Sequence, residues 1–271
     1  MGKVIGIISI KGGVGKTTTT LNLGAVIAHE FGKKVLVADA NYSAPNLGLH
    51  LGIVDPKTTM HHVLLKSADI KDAIYEHDDN LHVLPGSLIN KRVSPHILKE
   101  KLKDIKDDYD IILLDSSPTL NDEILSTMIA SDKLLVVTTP DYPTLSTTLR
   151  AVKLAKQKKT PIAGLIMNKV KKKKFELTLD DIEETADVPV LAVLPDDVKM
   201  LEALSETKHI AEHSPKREIA YEYRHLGSCL LGEDYKDPRF RKKMRSLFKR
   251  DFPKHEVNRL QARDNLKANW G

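Results

Sequence analysis

Eight residues, Lys11-Gly12-Gly13-Val14-Gly15-Lys16-Thr17-Thr18, follow an apolar run from Val4 to Ile10 and precede a helix-like stretch. Three glycines let the backbone curl with its N–H groups pointing inward, and the positive end of the following helix adds to that field. The Lys16 ammonium can reach outer phosphates and the Thr17 hydroxyl can face Mg²⁺, so the chemistry on offer is the holding of a nucleotide polyphosphate. The usual loop of this kind has glycine five residues before Gly15. Here that position is Ile10, and a lysine, Lys11, opens the glycine pair instead.

Two carboxylates can complete such a site. Asp115 closes the run Tyr109-Asp110-Ile111-Ile112-Leu113-Leu114, and Asp39 closes Val35-Leu36-Val37-Ala38. An apolar strand that ends in aspartate delivers a carboxylate to a sheet edge, where it can join a Mg²⁺ shell beside Thr17. The metal-facing group is therefore Thr17, Asp39 and Asp115. Base identity is legible in Asn168-Lys169-Val170-Lys171. GTPases of related layout place an aspartate at the fourth of these positions to read guanine, and a lysine there removes that partner.

The elements that must position these residues alternate between apolar runs and helix-period segments, the order expected of a parallel sheet. Strands are expected at Val4–Ile10, Lys34–Asp39, Leu81–Pro85, Asp110–Asp115, Lys133–Thr139, Ile162–Asn168 and Val190–Leu194. Helices are expected at Thr17–Phe31, Pro95–Lys103, Asn121–Ala130, Thr144–Lys158, Asp180–Ala186 and Pro215–Leu231. Several strands are continuous Val/Ile/Leu runs, as strands covered on both faces are, and right-handed crossovers bring their C-terminal ends to one ligand-binding edge. The expected fold class is α/β: a three-layer sandwich whose mostly parallel sheet, of about seven to eight strands, is flanked by helices.

Composition agrees with one such core, since 271 residues with 41% hydrophobic content suit a soluble α/β domain. The single cysteine, Cys229, excludes a disulfide or a cysteine-built zinc or iron–sulfur site within one chain. The histidines lack ligand spacing and no Ser/His/Asp triad is legible. Met1 leads straight into the first strand, so no secretory leader is expected, and no apolar stretch nears the ~20 residues that span a bilayer. A cytoplasmic protein is expected, with a peripheral place at the inner membrane face open to it.

The octet, together with Asp-Ser-Ser-Pro at 115–118, Leu84-Pro85-Gly86 and Leu194-Pro195-Asp196-Asp197, resembles the MinD/ParA family of deviant phosphate-loop ATPases, and closest in character are MinD-like proteins. The resemblance covers about residues 3 to 232. It implies a phosphate-loop ATPase domain over 1–232 and a basic, helical tail over 233–271. It implies ATP and Mg²⁺ as cofactors, and a homodimer closed face to face by ATP and released on hydrolysis. Lys11 would be the signature lysine that reaches the phosphates of the partner protomer, and Lys16, Asp39 and Asn41 would complete the catalytic set. Gly12 to Thr18, with Asn168, Pro195 and Asp196 on the base side, would hold the nucleotide. Segments 39–51 and 115–122 look like switch regions. One departure is plain: the family has a second aspartate where this chain has Asn41, and an amide can hydrogen-bond a water but cannot act as a carboxylate base. Slow, partner-stimulated hydrolysis is the expectation, with a nucleotide-gated binding module of little turnover as the alternative.

The tail is the second informative region. From Tyr235 to Gly271 there are 12 Lys and Arg against 4 Asp and Glu, which leaves 30 against 33 for the rest. Phe240, Met244, Leu247, Phe248 and Phe252 recur at intervals of three and four, with Arg241, Lys242, Lys243, Arg245, Lys249 and Arg250 between them. Such a basic amphipathic helix suits an anionic membrane surface, and each basic residue contributes on the order of 1 kcal/mol there. It also suits packing on the body, or non-specific DNA as in a ParA-type partition ATPase. Pro253 breaks the pattern, and Glu256–Trp270 is compatible with a further helix. The expected partners are thus a second copy of the chain, an ATPase-stimulating or cargo protein, and either membrane or DNA.

Overall fold

Apolar runs without alternation must be buried on both faces, and in the computed structural model they form the centre of one eight-stranded sheet. Residues 2–88, 94–239 and 253–269 are described. The strands are β1 (Lys3–Ile8), β2 (Val35–Ala40), β3 (Tyr75–Glu76), β4 (Leu81–Leu84), β5 (Ile111–Ser116), β6 (Lys133–Thr138), β7 (Ile162–Val170) and β8 (Val190–Pro195). Their spatial order is β3-β4-β2-β5-β1-β6-β7-β8. Every pairing is parallel except the one at the β3 edge.

Ten helices lie among the described residues: α1 (Lys16–Phe31), α2 (Met60–Leu64), α3 (Ile97–Lys103), α4 (Asp122–Ala130), α5 (Tyr142–Gln157), α6 (Leu179–Ala186), α7 (Val198–Ser205), α8 (Ile210–His213), α9 (Glu218–Leu231) and α10 (Lys254–Asn269). Alternate strand residues sort between the layers. Ile5, Ile7, Val35 and Val37 pack with α1, α7, α8 and α9, while Val4, Leu36 and Ala38 pack with α2 and α3. Ile8, Leu134 and Val136 meet α4, α5 and α6. Two hydrophobic layers thus clamp the sheet, and the C-terminal ends of β1, β2 and β5 are held in register, with Ile7 and Asp39 both opposite Asp115.

The expected strands are all present, with two shifted ends that matter for the site. β1 stops at Ile8, which leaves Ser9 and Ile10 to the phosphate loop, and β7 runs on to Val170 through an irregular register against β8. Edge strand β3 and helices α7 and α8 are not among the expected elements. Helix α10 packs on α9 and β8: Arg259 donates to Glu222 at 2.6 Å, Asn258 Nδ2 donates to the Val190 carbonyl at 3.0 Å, and Leu266 is buried. The basic stretch from Phe240 to Phe252, with Arg241, Lys242, Lys243, Met244, Arg245, Leu247, Phe248, Lys249 and Arg250, lies outside the described residues. No helix among the described residues is long and apolar enough to cross a membrane.

Candidate nucleotide site

The phosphate loop takes its shape from two glycines in the left-handed region, Gly13 at φ 76° and Gly15 at φ 94°. A side chain is strained there, and a Cβ on Gly15 would lie 2.3 Å from Asn168 Nδ2. That amide braces the loop, donating to the Val14 carbonyl at 2.8 Å while its own oxygen accepts from Lys169 N at 2.8 Å. Lys169 Nζ reaches the Gly13 carbonyl, also at 2.8 Å. The Val14 side chain is buried in the core, so only its backbone serves the loop. Gly15 caps α1, whose first N–H groups open onto a cleft of about 430 Å³.

Along the cleft run Gly12, Gly13, Gly15, Lys16, Thr17 and Thr18 at the phosphate end, and Asn41, Asn46 and Ser116 beside them. Lys16 is only 7% exposed, and burial holds its ammonium below the ordinary lysine value while Asp115 pulls it back. Thr17 donates to Asp115 at 2.6 Å. Asp115 is fully buried, and burial first, then the neighbouring Asp39 charge, push its carboxyl up to about 7 against the pull of Thr17 and Lys16. Asp39 is pushed up to about 6 by burial, opposed by backbone N–H groups. Those N–H groups belong to Asn41, Asn46 and Leu47, each at 3.0 Å, so both Asp39 oxygens pin the loop that follows β2. The structure thus brings Asp115 onto Thr17, and gives Asp39 the added work of holding the 41–47 loop.

A buried ammonium with a lowered pKa, next to buried carboxylates with raised ones, describes a place short of both an anion and a cation. A phosphate chain bearing Mg²⁺ supplies both, and the donor set of one hydroxyl and two carboxylates is the hard oxygen set that Mg²⁺ takes. Asn41 is nearly buried. Its Nδ2 donates to the Ala44 carbonyl at 2.6 Å, and its Oδ1 has no hydrogen-bond partner among the described residues. An acceptor without a partner and without exposed surface therefore sits beside the cleft, at the position where the sequence departs from the expected aspartate.

The far end of the cleft is lined by Asn168, Pro195 and Asp196, the residues expected on the base side, and by Met200, Leu201, Leu204, Ile219 and Tyr223, which the sequence does not single out. These five come from α7 and α9 and make that end of the cleft mainly apolar. Asp197 caps α7 by accepting from Lys199 N and is clamped by Arg217 at 2.8 and 2.9 Å, which fixes the wall of that end. Lys171 Nζ lies 3.6 Å from Asp196, so the lysine at the guanine-reading position also engages a neighbouring acid.

Lys11 does not line its own cleft. Its Nζ lies 2.5 Å from Thr144 Oγ1 and 3.2 Å from Asp141 Oδ1 at the start of α5. Asp141 is the N-cap of α5, and although burial opposes it, hydrogen bonds from Thr139, Thr144 and Lys11 bring its carboxyl down to about 2. The Asp141-Tyr142-Pro143-Thr144 capping pattern is the sequence signal that marks this seat.

Comparison with known proteins agrees with this geometry. The AAA domain family model matches residues 2–161. An ATP-binding protein of Methanocaldococcus jannaschii is 35% identical over 250 residues, covering 91% of this chain and 94% of that one. The septum site-determining protein MinD of Thermotoga maritima is 32% identical, covering 86% and 89% respectively. Among solved structures, the septum site-determining protein MinD of Pyrococcus horikoshii complexed with Mg-ADP superposes with a TM-score of 0.78 at 32% identity, covering 84% of this chain and 95% of that one.

Proposed function

This chain belongs to the MinD/ParA family of phosphate-loop ATPases, with ATP and Mg²⁺ as its cofactors, and we propose that it is a MinD-like switch that closes as an ATP-sandwich dimer and positions a cellular component at the cytoplasmic membrane surface. The observation that carries the dimer is the seat of Lys11. An ammonium resting on Asp141 and Thr144, outside its own cleft, is free to be drawn toward phosphates presented by a second protomer, while Lys16 serves the cleft from within.

Within one protomer the residues divide the work. The loop N–H groups and Lys16 would bind the phosphate chain, Thr17, Asp39 and Asp115 would hold Mg²⁺, which would supply neutralising charge to the phosphate oxygens, and the apolar end between α7 and α9 would take adenine. Asn41 Oδ1, buried without a partner, would meet and orient a water once the 41–47 loop shifts, but an amide takes no proton from it, so slow turnover without a partner is expected. This same amide favours a second reading, a nucleotide-gated binding module with little turnover.

Sedimentation with and without ATP tests the proposal. Wild type should double its mass with ATP and Mg²⁺, and Lys11→Ala should bind ATP normally yet stay monomeric. A variant that dimerises like wild type would refute the role given to Lys11. Phosphate release measured with anionic vesicles and with duplex DNA separates the MinD-like cycle from DNA-stimulated partition, and release near zero under every condition would favour the gated module.

A further inference from the structure

The run Lys171-Lys172-Lys173-Lys174-Phe175-Glu176, between β7 and α6, is a built turn. Glu176 N donates to the Lys173 carbonyl at 3.1 Å, which puts Lys174 and Phe175 at the two corners. The Glu176 carboxylate accepts from Lys171 N at 2.9 Å and from Lys173 N at 2.9 Å, and Leu177 is buried in the core with its N–H on the Pro140 carbonyl at 3.0 Å. Lys171 and Lys172 are spent on Asp196 and Glu218. Lys173 and Lys174 have no carboxylate partner among the described residues, and the Phe175 ring is 80% exposed.

A phenylalanine fixed outward at the corner of a braced turn, flanked by those two ammonium groups, carries the pattern of an interfacial anchor: an apolar ring for the acyl boundary and cations for phosphate headgroups. An exposed turn tip suits a surface that yields around it, and fits less well the single-strand mode in which aromatics line a groove that tracks the backbone. The bond from Leu177 to Pro140 also brings the turn beside Tyr142, which is 74% exposed, and Lys254, at the start of α10, pairs with Asp180 at 2.5 Å just beyond the turn.

We propose that the Lys173-Lys174-Phe175 turn is a second membrane contact, separate from the tail, which inserts the Phe175 ring between anionic phospholipids. The inference rests on the membrane reading given above.

Flotation of the full chain, with ATP and Mg²⁺, on vesicles of phosphatidylglycerol and phosphatidylcholine tests it against pure phosphatidylcholine. Phe175→Ser should lower vesicle affinity about tenfold or more, and Lys173→Ser with Lys174→Ser about fivefold per lysine, with vesicle-free ATPase unchanged. In a Trp270→Phe background, Phe175→Trp should be quenched by brominated acyl chains. Wild type that floats on no vesicle overturns the membrane reading and this inference together. Wild type and Phe175→Ser that float equally overturn this inference alone, as does an unquenched Trp. Loss of duplex DNA retention in the lysine variant, with flotation intact, assigns the turn to nucleic acid and overturns it too.

Discussion

Asp115→Asn should make the nucleotide-free protein more stable and disable it at the same stroke. Asp115 has no exposed surface, and its carboxyl is raised to about 7 from an ordinary value of 3.8. A carboxyl whose folded pKa lies above its unfolded one contributes most to stability below pH ~4, and that contribution is lost as pH climbs through the folded value. A rise of about three in pKa, at roughly 1.4 kcal/mol for each, corresponds to about 4 kcal/mol by pH 8; coupling to Asp39 and relaxation around the site reduce this to about 2–4 kcal/mol. Asparagine is close in shape, stays neutral and can still meet the Thr17 hydroxyl, which now lies 2.6 Å from the carboxylate. At about 2–4 °C per kcal/mol for a chain of this size, the variant should melt roughly 5–10 °C above wild type at pH 8 in EDTA, with the gap closing toward pH 4. Melting followed by circular dichroism across that range, with and without Mg²⁺ and ATP, is the assay. With both ligands present the order should reverse, because only wild type offers the carboxylate. A melting difference that is absent at pH 8, or independent of pH, would refute the reading of Asp115 as an uncompensated buried charge.

Three further perturbations follow from particular contacts. Asn41→Asp should raise single-turnover phosphate release by at least about tenfold, since a carboxylate can take the water proton, and should lower stability by about 1–3 kcal/mol through loss of the bond to the Ala44 carbonyl; an unchanged rate would exclude position 41 from the water. Gly15→Ala, at φ 94° and 2.3 Å from Asn168 Nδ2, should abolish ATP binding by calorimetry while far-ultraviolet circular dichroism stays that of wild type. Arg259→Ala strands the buried Glu222 carboxylate and should cost about 3–5 kcal/mol, unless α10 lifts away and lets Glu222 hydrate; hydrogen exchange in 254–269 faster than in α9 would identify that route, and equal protection of both would argue against it.

The central sheet is legible because its strands are uninterrupted Val, Ile and Leu, and the phosphate loop because its chemistry needs contiguous residues. What the pattern does not carry is short or assembled from afar. β3 spans two residues, and α7 has eight residues with only Met200 and Ala203 buried, too few to display a period. The apolar end of the cleft draws on α7 and α9 and exists only once α9 packs on β8 and α8 links α7 to it. The seat of Lys11 joins residues more than a hundred positions apart. Asn168 is expected from the sequence on the base side, yet its bracing of Val14 depends on how β7 meets the loop, and no spacing rule carries that.

With the proposed Mg²⁺ bound, the two aspartates would tie ligand binding to the order of the 41–47 loop. Asp39 faces Asp115 across the β2–β5 register, and each raises the other's cost of being charged. The same Asp39 oxygens hold the N–H groups of Asn41, Asn46 and Leu47, so the order of the 41–47 loop depends on the charge Asp39 carries. An ionised Asp39 accepts those three bonds more strongly than a protonated one, and a cation beside Asp115 is what favours ionisation. Metal binding should therefore tighten the loop that carries Asn41, and its departure with product should loosen it. The coupling needs no long path, since the strand end proposed to meet the metal is also the anchor of the loop that carries Asn41.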